Sequence, residues 1–334
     1  MKRIAMLLAC VLCVLSASAC QRRELCSETF FMMDTVITVT LYEADAAVSD
    51  AVFGECRKIL ANADARWNRH IQGAVNDVTA INSGADRIAV ESQETLALLQ
   101  KALAVSKATE GAFDITVAPL VDLWKLCGEK DRLPTDEELR DALALVGFDK
   151  VMLTESVLIK SEPCAQIDLG GIGKGAAIGE LMAYLRGCGI SGGLVSFGSN
   201  VAVFGEKPSG NPFRIALQDP FDKNGRVGTL TLYDGEVLSV SGDYERYVTV
   251  GGTRYHHIID PKTGYPANSG LASVAVIAVD GAVADALSTA LFVMGEEQAR
   301  AFYALGAYAF EAVFVASDGT VTYTDGLIGR FAAA

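Results

Sequence analysis

Apolar and polar positions alternate along Thr35–Tyr42 (TVITVTLY), and the β-branched content predicts a strand there. From about Ala44 to Arg66 the apolar residues recur at helical spacing, ending near Trp67. Ser92–Thr109 repeats that spacing, with Ser92 placed as N-cap. Thr135-Asp-Glu-Glu138 is a capping box and predicts a helix to about Val146. Gln166–Leu169 is expected as a short strand that runs into glycine-rich DLGGIGKG, followed by a helix to about Leu185. Between Gly192 and Val250, short β-rich runs alternate with the turns PSGNP, DKNG and DGE, which suits an antiparallel sheet better than βαβ repeats. Helices are expected over about Ala282–Met294 and Glu296–Leu305. Strands are expected near Ala312–Val315 and Val321–Tyr323, about the turn at Asp318-Gly319. The class expected is α+β: a largely antiparallel sheet flanked by helices, with no strong linker.

The first residues follow a different pattern. A basic pair, Lys2 and Arg3, precedes an apolar run from Ile4 to Leu15, and small residues lead to Cys20. The run is short for a bilayer span and has the flanks of an export signal. Small residues before a cysteine resemble a lipobox, in which Cys20 becomes an acylated N-terminus; Ala17 stands where a larger aliphatic residue is usual. The expected organisation is a lipoprotein signal peptide over 1–19, a tether over 20–28 and a single domain over 29–331. The chain would then be exported and lipid-anchored to the cell envelope, on the periplasmic or extracytoplasmic face of a bacterial membrane. The alternative is an ordinary signal peptide cut near Ala19. Of eight cysteines, Cys10 and Cys13 leave with the leader. With Cys20 acylated, Cys26, Cys56, Cys127, Cys164 and Cys188 remain, without a CxxC pair to support a zinc-ribbon or thioredoxin reading. Net charge is −13, which argues against a nucleic-acid partner.

Four stretches place polar residues in apolar surroundings. QIDLGGIGKGA (166–176) takes a glycine turn into a helix N-terminus, where free amides and the helix dipole attract anions, and Lys174 adds a positive charge. Gly171, Gly173 and Ala176 satisfy a loose dinucleotide fingerprint, but the acidic residue expected about 20 positions on is missing. SVSGDYERY (239–247) crowds Ser241, Gly242, Tyr244 and Glu245 at a strand end; a solvated hairpin turn would read the same way. YHHIIDPKTGYP (255–266) holds two of the three histidines. Neighbours on a strand face opposite ways, so only one can point into a given site. ADALSTALFVMG (284–295) sets Asp285 and Thr289 on one helical face, two oxygen donors of the kind Mg²⁺ takes alongside carbonyls and waters.

Taken together and in this order, these stretches resemble the ApbE family of FAD:protein FMN transferases. FFMMDTVITVTLY (30–42) is similar to the family's opening strand, NDVTAIN (76–82) to its Asn-ended helix, and TEGAFDITVAPLVDLW (109–124) to its Gly-x-Phe-Asp segment. The resemblance implies an enzyme that binds FAD with Mg²⁺, transfers the FMN half to a Thr or Ser hydroxyl of an acceptor flavoprotein, itself exported or membrane-associated, and releases AMP. It implies Asp285 and Thr289 as metal side chains, with the Gly171 carbonyl beside them. It implies His257 as the catalytic base. It also places Met33, Asp114, Asp168, Lys174, Ser241, Gly242, Tyr244, Glu245 and His257 in the elements that line the FAD site. SFGSN (196–200) departs from a frequent Gly-Gly pair, and NRHIQGAVND (68–77) departs from the usual segment before the Asn-ended helix. Two other readings stay open: a Mg²⁺-dependent FAD pyrophosphatase giving FMN and AMP, and a non-enzymatic flavin-binding lipoprotein.

Overall fold

The computed structural model describes residues 24–71 and 73–334; the leader and Cys20 lie outside them. Along the chain, β1 (Glu24–Met32) and β2 (Thr35–Ala44) form a hairpin, followed by α1 (Ala46–Trp67), the short α2 (Asp77–Ile81), β3 (Arg87–Ala89) and α3 (Gln93–Ala108). Next come α4 (Ala118–Glu129), α5 (Asp136–Leu143), β4 (Val151–Thr154), β5 (Val157–Lys160) and α6 (Gly170–Gly187). Strands β6 (Gly192–Phe197), β7 (Asn200–Gly205), β8 (Phe213–Gln218), β9 (Arg226–Leu232), β10 (Val237–Gly242), β11 (Tyr247–Val250), β12 (Thr253–His256) and β13 (Leu271–Ala278) then lead to α7 (Gly281–Met294) and α8 (Glu296–Ala304). The chain closes on β14 (Glu311–Ala316), β15 (Val321–Tyr323) and β16 (Phe331–Ala333).

The central sheet runs β1-β2-β6-β7-β10-β13-β14-β15, and its pairings are antiparallel, as expected of this α+β chain. One face packs on the helices and the other on the small β16-β9-β8 sheet. Strand alternation divides β10 between them: Val237 belongs to the helix-side core, whereas Leu238 and the flanking Val240 belong to the second-sheet core. Ser239 and Ser241 share the parity of Val237 and point at α7, where both approach Ser288. β13 is buried along its whole length because both of its faces are covered.

The expected caps are present. Ser92 accepts from the Thr95 amide, and Thr135 and Glu138 close a reciprocal box at the start of α5. Three expectations are corrected. Residues 24–28, read as tether, are the first half of β1 and pair with β2. Gln166–Leu169 is not a strand; it is irregular chain held by side chains, with Asn82 bonding both the Ile167 amide and its carbonyl. The buried Lys160 ammonium fastens the same approach by donating to the carbonyls of Ile81, Pro163 and Ala165. The glycine-rich segment is not a loop before the helix but its opening turns, since α6 begins at Gly170.

Candidate functional site

The site is built where α6 and α7 cross against β10. α7 is almost wholly buried, so its polar side chains have to find partners inside the protein. Asp285, only 4% exposed, does so on both oxygens. Its Oδ2 accepts from the Gly175 amide at 2.9 Å; its Oδ1 accepts from Asn200 Nδ2 at 3.1 Å and stands 3.1 Å from the Ser239 hydroxyl. Ser239 also lies 2.8 Å from Asn200 Oδ1, so β7, β10 and α6 together fix this one carboxylate. Ser241 Oγ continues the polar strip, 2.8 Å from Ser288 Oγ and 3.4 Å from Thr289 Oγ1.

Glycine makes the crossing possible. A Cβ on Gly175 would fall 2.0 Å from the Gly281 carbonyl oxygen and 2.7 Å from Asp285 Cβ. A Cβ on Gly171 would fall 3.6 Å from Thr289 Oγ1 and 3.2 Å from the Phe113 ring. The first turn of α6 therefore lies directly on the Asp285–Thr289 face. Gly175 N–H, which in a regular helix closes on the Gly171 carbonyl, donates to Asp285. Lys174 Nζ reaches back to the Gly170 carbonyl at 3.3 Å and lies 3.8 Å from Asp285 Oδ1. A helix N-terminus, a lysine and a cluster of hard oxygen donors thus share one corner.

The facing wall comes from the turn after β10 and the residues after β12. The Tyr244 ring packs where a side chain on Gly242 would stand, 2.4 Å from that Cβ position. Burial pushes the Tyr244 phenol up to about 12. Glu245 meets solvent on one side, but protein crowds it on the other; that desolvation raises its pKa against the opposing pull of Lys174 and a Ser199 hydrogen bond. His256 and His257 have opposite fates. The His256 ring is satisfied at both nitrogens, by the Ala267 carbonyl at 2.9 Å and the Ile258 amide at 3.3 Å, and sits edge-on to Phe292. His257 opens to solvent, with Nδ1 3.1 Å from the Arg246 carbonyl. That carbonyl can only accept, so a neutral ring places its proton on Nδ1 and leaves the Nε2 lone pair free. Desolvation by the surrounding walls, with Lys174 and Arg246 nearby, pushes the His257 pKa down to about 4.

Met33 and Asp34 form the two-residue turn of the β1–β2 hairpin, both with positive φ (50° and 56°) as such a turn requires. Asn-Gly is the relaxed choice there; Met33 is held in a costly conformation. Its methyl lies 3.9 Å from the Cβ position of Gly173, and Arg246 donates to the Asp34 carbonyl at 3.2 Å, so the hairpin tip closes over α6.

Asp168 Oδ1 accepts from the Gly170 amide at 2.7 Å, at the very start of α6. Asp114 is set apart. It caps the next turn through the Thr116 amide and hydroxyl, at 2.8 and 2.7 Å, and burial raises its pKa. It reaches the site through its neighbours, since the Ile115 carbonyl accepts from the Asp168 amide and the Phe113 ring abuts Gly171. Met33, Lys174, Ser241, Gly242, Tyr244, Glu245, His257, Gly171, Asp285 and Thr289 thus lie on elements that converge on the α6–α7 crossing, with Asp168 at the start of α6. Sequence reasoning passed over Asn200, Ser239 and Ser288, which orient Asp285. Their hydroxyls and amide stand inside stretches already singled out, and only strand parity shows which way they face.

Among the described residues no three His, Cys, Asp or Glu side chains cluster as a metal site. The donor set here is instead one buried carboxylate, the hydroxyls of Thr289 and Ser241, and nearby backbone carbonyls. That set suits a hard divalent ion such as Mg²⁺, which takes few protein ligands and keeps its waters.

The chain is similar to known proteins along most of its length. A model of the ApbE family matches residues 33–314. A protein of Vibrio cholerae, named FAD:protein FMN transferase, is 37% identical over 212 residues, which are 63% of this chain and 64% of that protein. One of Haemophilus influenzae with the same name is 32% identical over 313 residues, 90% of this chain and 89% of its own. The ApbE protein of Thermotoga maritima superposes with a TM-score of 0.81 at 30% identity, covering 92% of this chain and 99% of that one. The flavin transferase ApbE of Vibrio cholerae does so with 0.81 at 28% identity and the same coverage.

Proposed function

This chain belongs to the ApbE family, and on that premise we propose that it is an FAD:protein FMN transferase, moving the FMN half of FAD onto a Thr or Ser hydroxyl of an acceptor flavoprotein and releasing AMP. The observation that carries the reading is the meeting of three unlike parts in one cleft: the α6 N-terminus with Lys174, the Asp285–Thr289–Ser241 oxygen cluster, and a histidine with one nitrogen committed and the other free. A pure binding module has use for the first of these alone.

Each part answers a demand of the reaction. The diphosphate of FAD is an anion entering a protein of net charge −13, so its binding needs local positive potential. Lys174 and the positive end of the α6 dipole provide it. Asp285 and Thr289, with the Gly171 carbonyl, would hold Mg²⁺. That ion, when bound, neutralises charge on the phosphoryl oxygens. The acceptor hydroxyl is a weak nucleophile near neutral pH. His257 Nε2 takes its proton as the oxygen forms a bond to the FMN phosphorus; the anhydride P–O bond breaks and AMP departs with that electron pair. The depressed pKa of His257 keeps the ring unprotonated and ready.

Cys20 is the proposed acyl attachment point, tethering the enzyme to the outer face of a bacterial membrane, where exported acceptor flavoproteins are within reach. The test of the function is incubation of the purified chain with FAD, Mg²⁺ and an acceptor flavoprotein. A covalent flavin that survives acid precipitation of the acceptor supports it. Free FMN and AMP formed without acceptor would make the chain a pyrophosphatase instead.

A further inference from the structure

The segment 68–76 supplied none of the site residues above, yet it sends one side chain under the site. Arg69 is 8% exposed. Its Nη1 and Nη2 donate to Asp122 of α4 at 2.9 and 2.5 Å. Its Nε lies 2.8 Å from Asp168 Oδ2, in ion-pair contact off the straight hydrogen-bond line. The two arms differ in setting. The Asp122 side chain is 45% exposed, so water screens that pair; Asp168 is 22% exposed and faces inward. The other Asp168 oxygen holds the first amide of α6, so a single carboxylate is strung between the guanidinium and the helix start. The backbone around it is fixed separately, by Asn82 on Ile167 and by the Ile115 carbonyl on the Asp168 amide. Arg69 is therefore not needed to place the main chain. What remains for it is the carboxylate: its rotamer and its charge.

We propose that Arg69 is a positioning residue for FAD binding: paired with Asp168, it fixes that carboxylate on the α6 N-terminus and cancels its charge, so the incoming diphosphate meets a neutral pair. Without Arg69 an uncompensated carboxylate would sit at the helix end whose positive potential draws the phosphate. Only a planar fork can serve two carboxylates on different elements, so lysine is a poor substitute. The inference rests on the reading of this cleft as an FAD site.

The test is a double-mutant cycle on FAD affinity, read by quenching of flavin fluorescence, with kcat measured beside it. Arg69→Gln is expected to weaken FAD binding about tenfold and to change kcat far less. In an Asp168→Asn background, where no charge is left to cancel, the same change should alter FAD affinity by less than about twofold. An equal loss in both backgrounds would overturn the proposal, because Arg69 would then merely tie its loop to α4. Should Arg69→Gln fail to fold, Arg69→Lys read in the same two backgrounds makes the same comparison. A wild-type chain that binds FAD but forms no covalent adduct would sink the transferase reading and leave the Arg69 comparison standing. One that binds no FAD would overturn both.

Discussion

His256 and His257 are the same residue type and adjoin in sequence, yet one is a strut and the other the proposed base. The difference lies in what surrounds each ring: two backbone partners for His256, and one carbonyl plus an open face for His257. The sequence shows that only one of the pair can face a site; which one depends on where β12 ends, and that is a tertiary matter. The sign of the pKa shift gives a prediction. Desolvation penalises the imidazolium, so protonation is delayed below the ordinary histidine range, to about 4. Activity should therefore persist below pH 6.5 and fall only as pH approaches about 4, as read from kcat/KM for FAD against pH; a midpoint at or above 6.5 would contradict the assignment. Asp285 is legible as a site candidate from its spacing to Thr289, but its partners Asn200 and Ser239 come from strands far away in sequence. Asp285→Ala should lower activity by more than about a hundredfold. It should also cost about 1–3 kcal/mol of stability in urea unfolding, because buried donors lose their acceptor. Loss of activity with no change in stability would mean that those hydrogen bonds contribute little.

At the scale of elements, the decisive contact is α6 on α7. The glycines of GGIGKG suggest a phosphate loop to a reader of the sequence, and the structure gives them a second reason: two helices meet where a methyl cannot fit. Propensity alone argues against opening a helix with glycine, so a reading of the sequence starts the helix too late and puts a strand before it. Packing against Gly281 overrides that preference. The prediction is a contrast within one helix. Gly175→Ala drives a methyl into the Gly281 carbonyl and should destabilise the fold by about 1–3 kcal/mol. Gly179→Ala, one turn on, points into open space and should stabilise by about 0.5–1 kcal/mol. Thermal melts of the two variants check this; the same sign for both would mean that the crossing is looser than described.

Over the whole molecule, the antiparallel architecture was legible because strand alternation and turn chemistry are local signals, repeated from Gly192 onward. The cleft itself was legible only through resemblance, since its walls come from segments as distant as Met33 and Thr289. The anchor is a separate question. Among the described residues no helix is long and apolar enough to cross a membrane; the proposed attachment point is Cys20. Cys20→Ala should move the chain from the membrane fraction to the soluble one while the catalytic rate in detergent extracts stays unchanged; continued membrane association would refute acylation there. Transfer of FMN from FAD to a protein hydroxyl is tested most directly by mass spectrometry of an acceptor peptide after incubation with this chain, FAD and Mg²⁺. The expected result is an FMN-sized adduct on a Thr or Ser, which does not form when the metal is chelated beforehand. An unmodified peptide beside accumulating free FMN and AMP would contradict it.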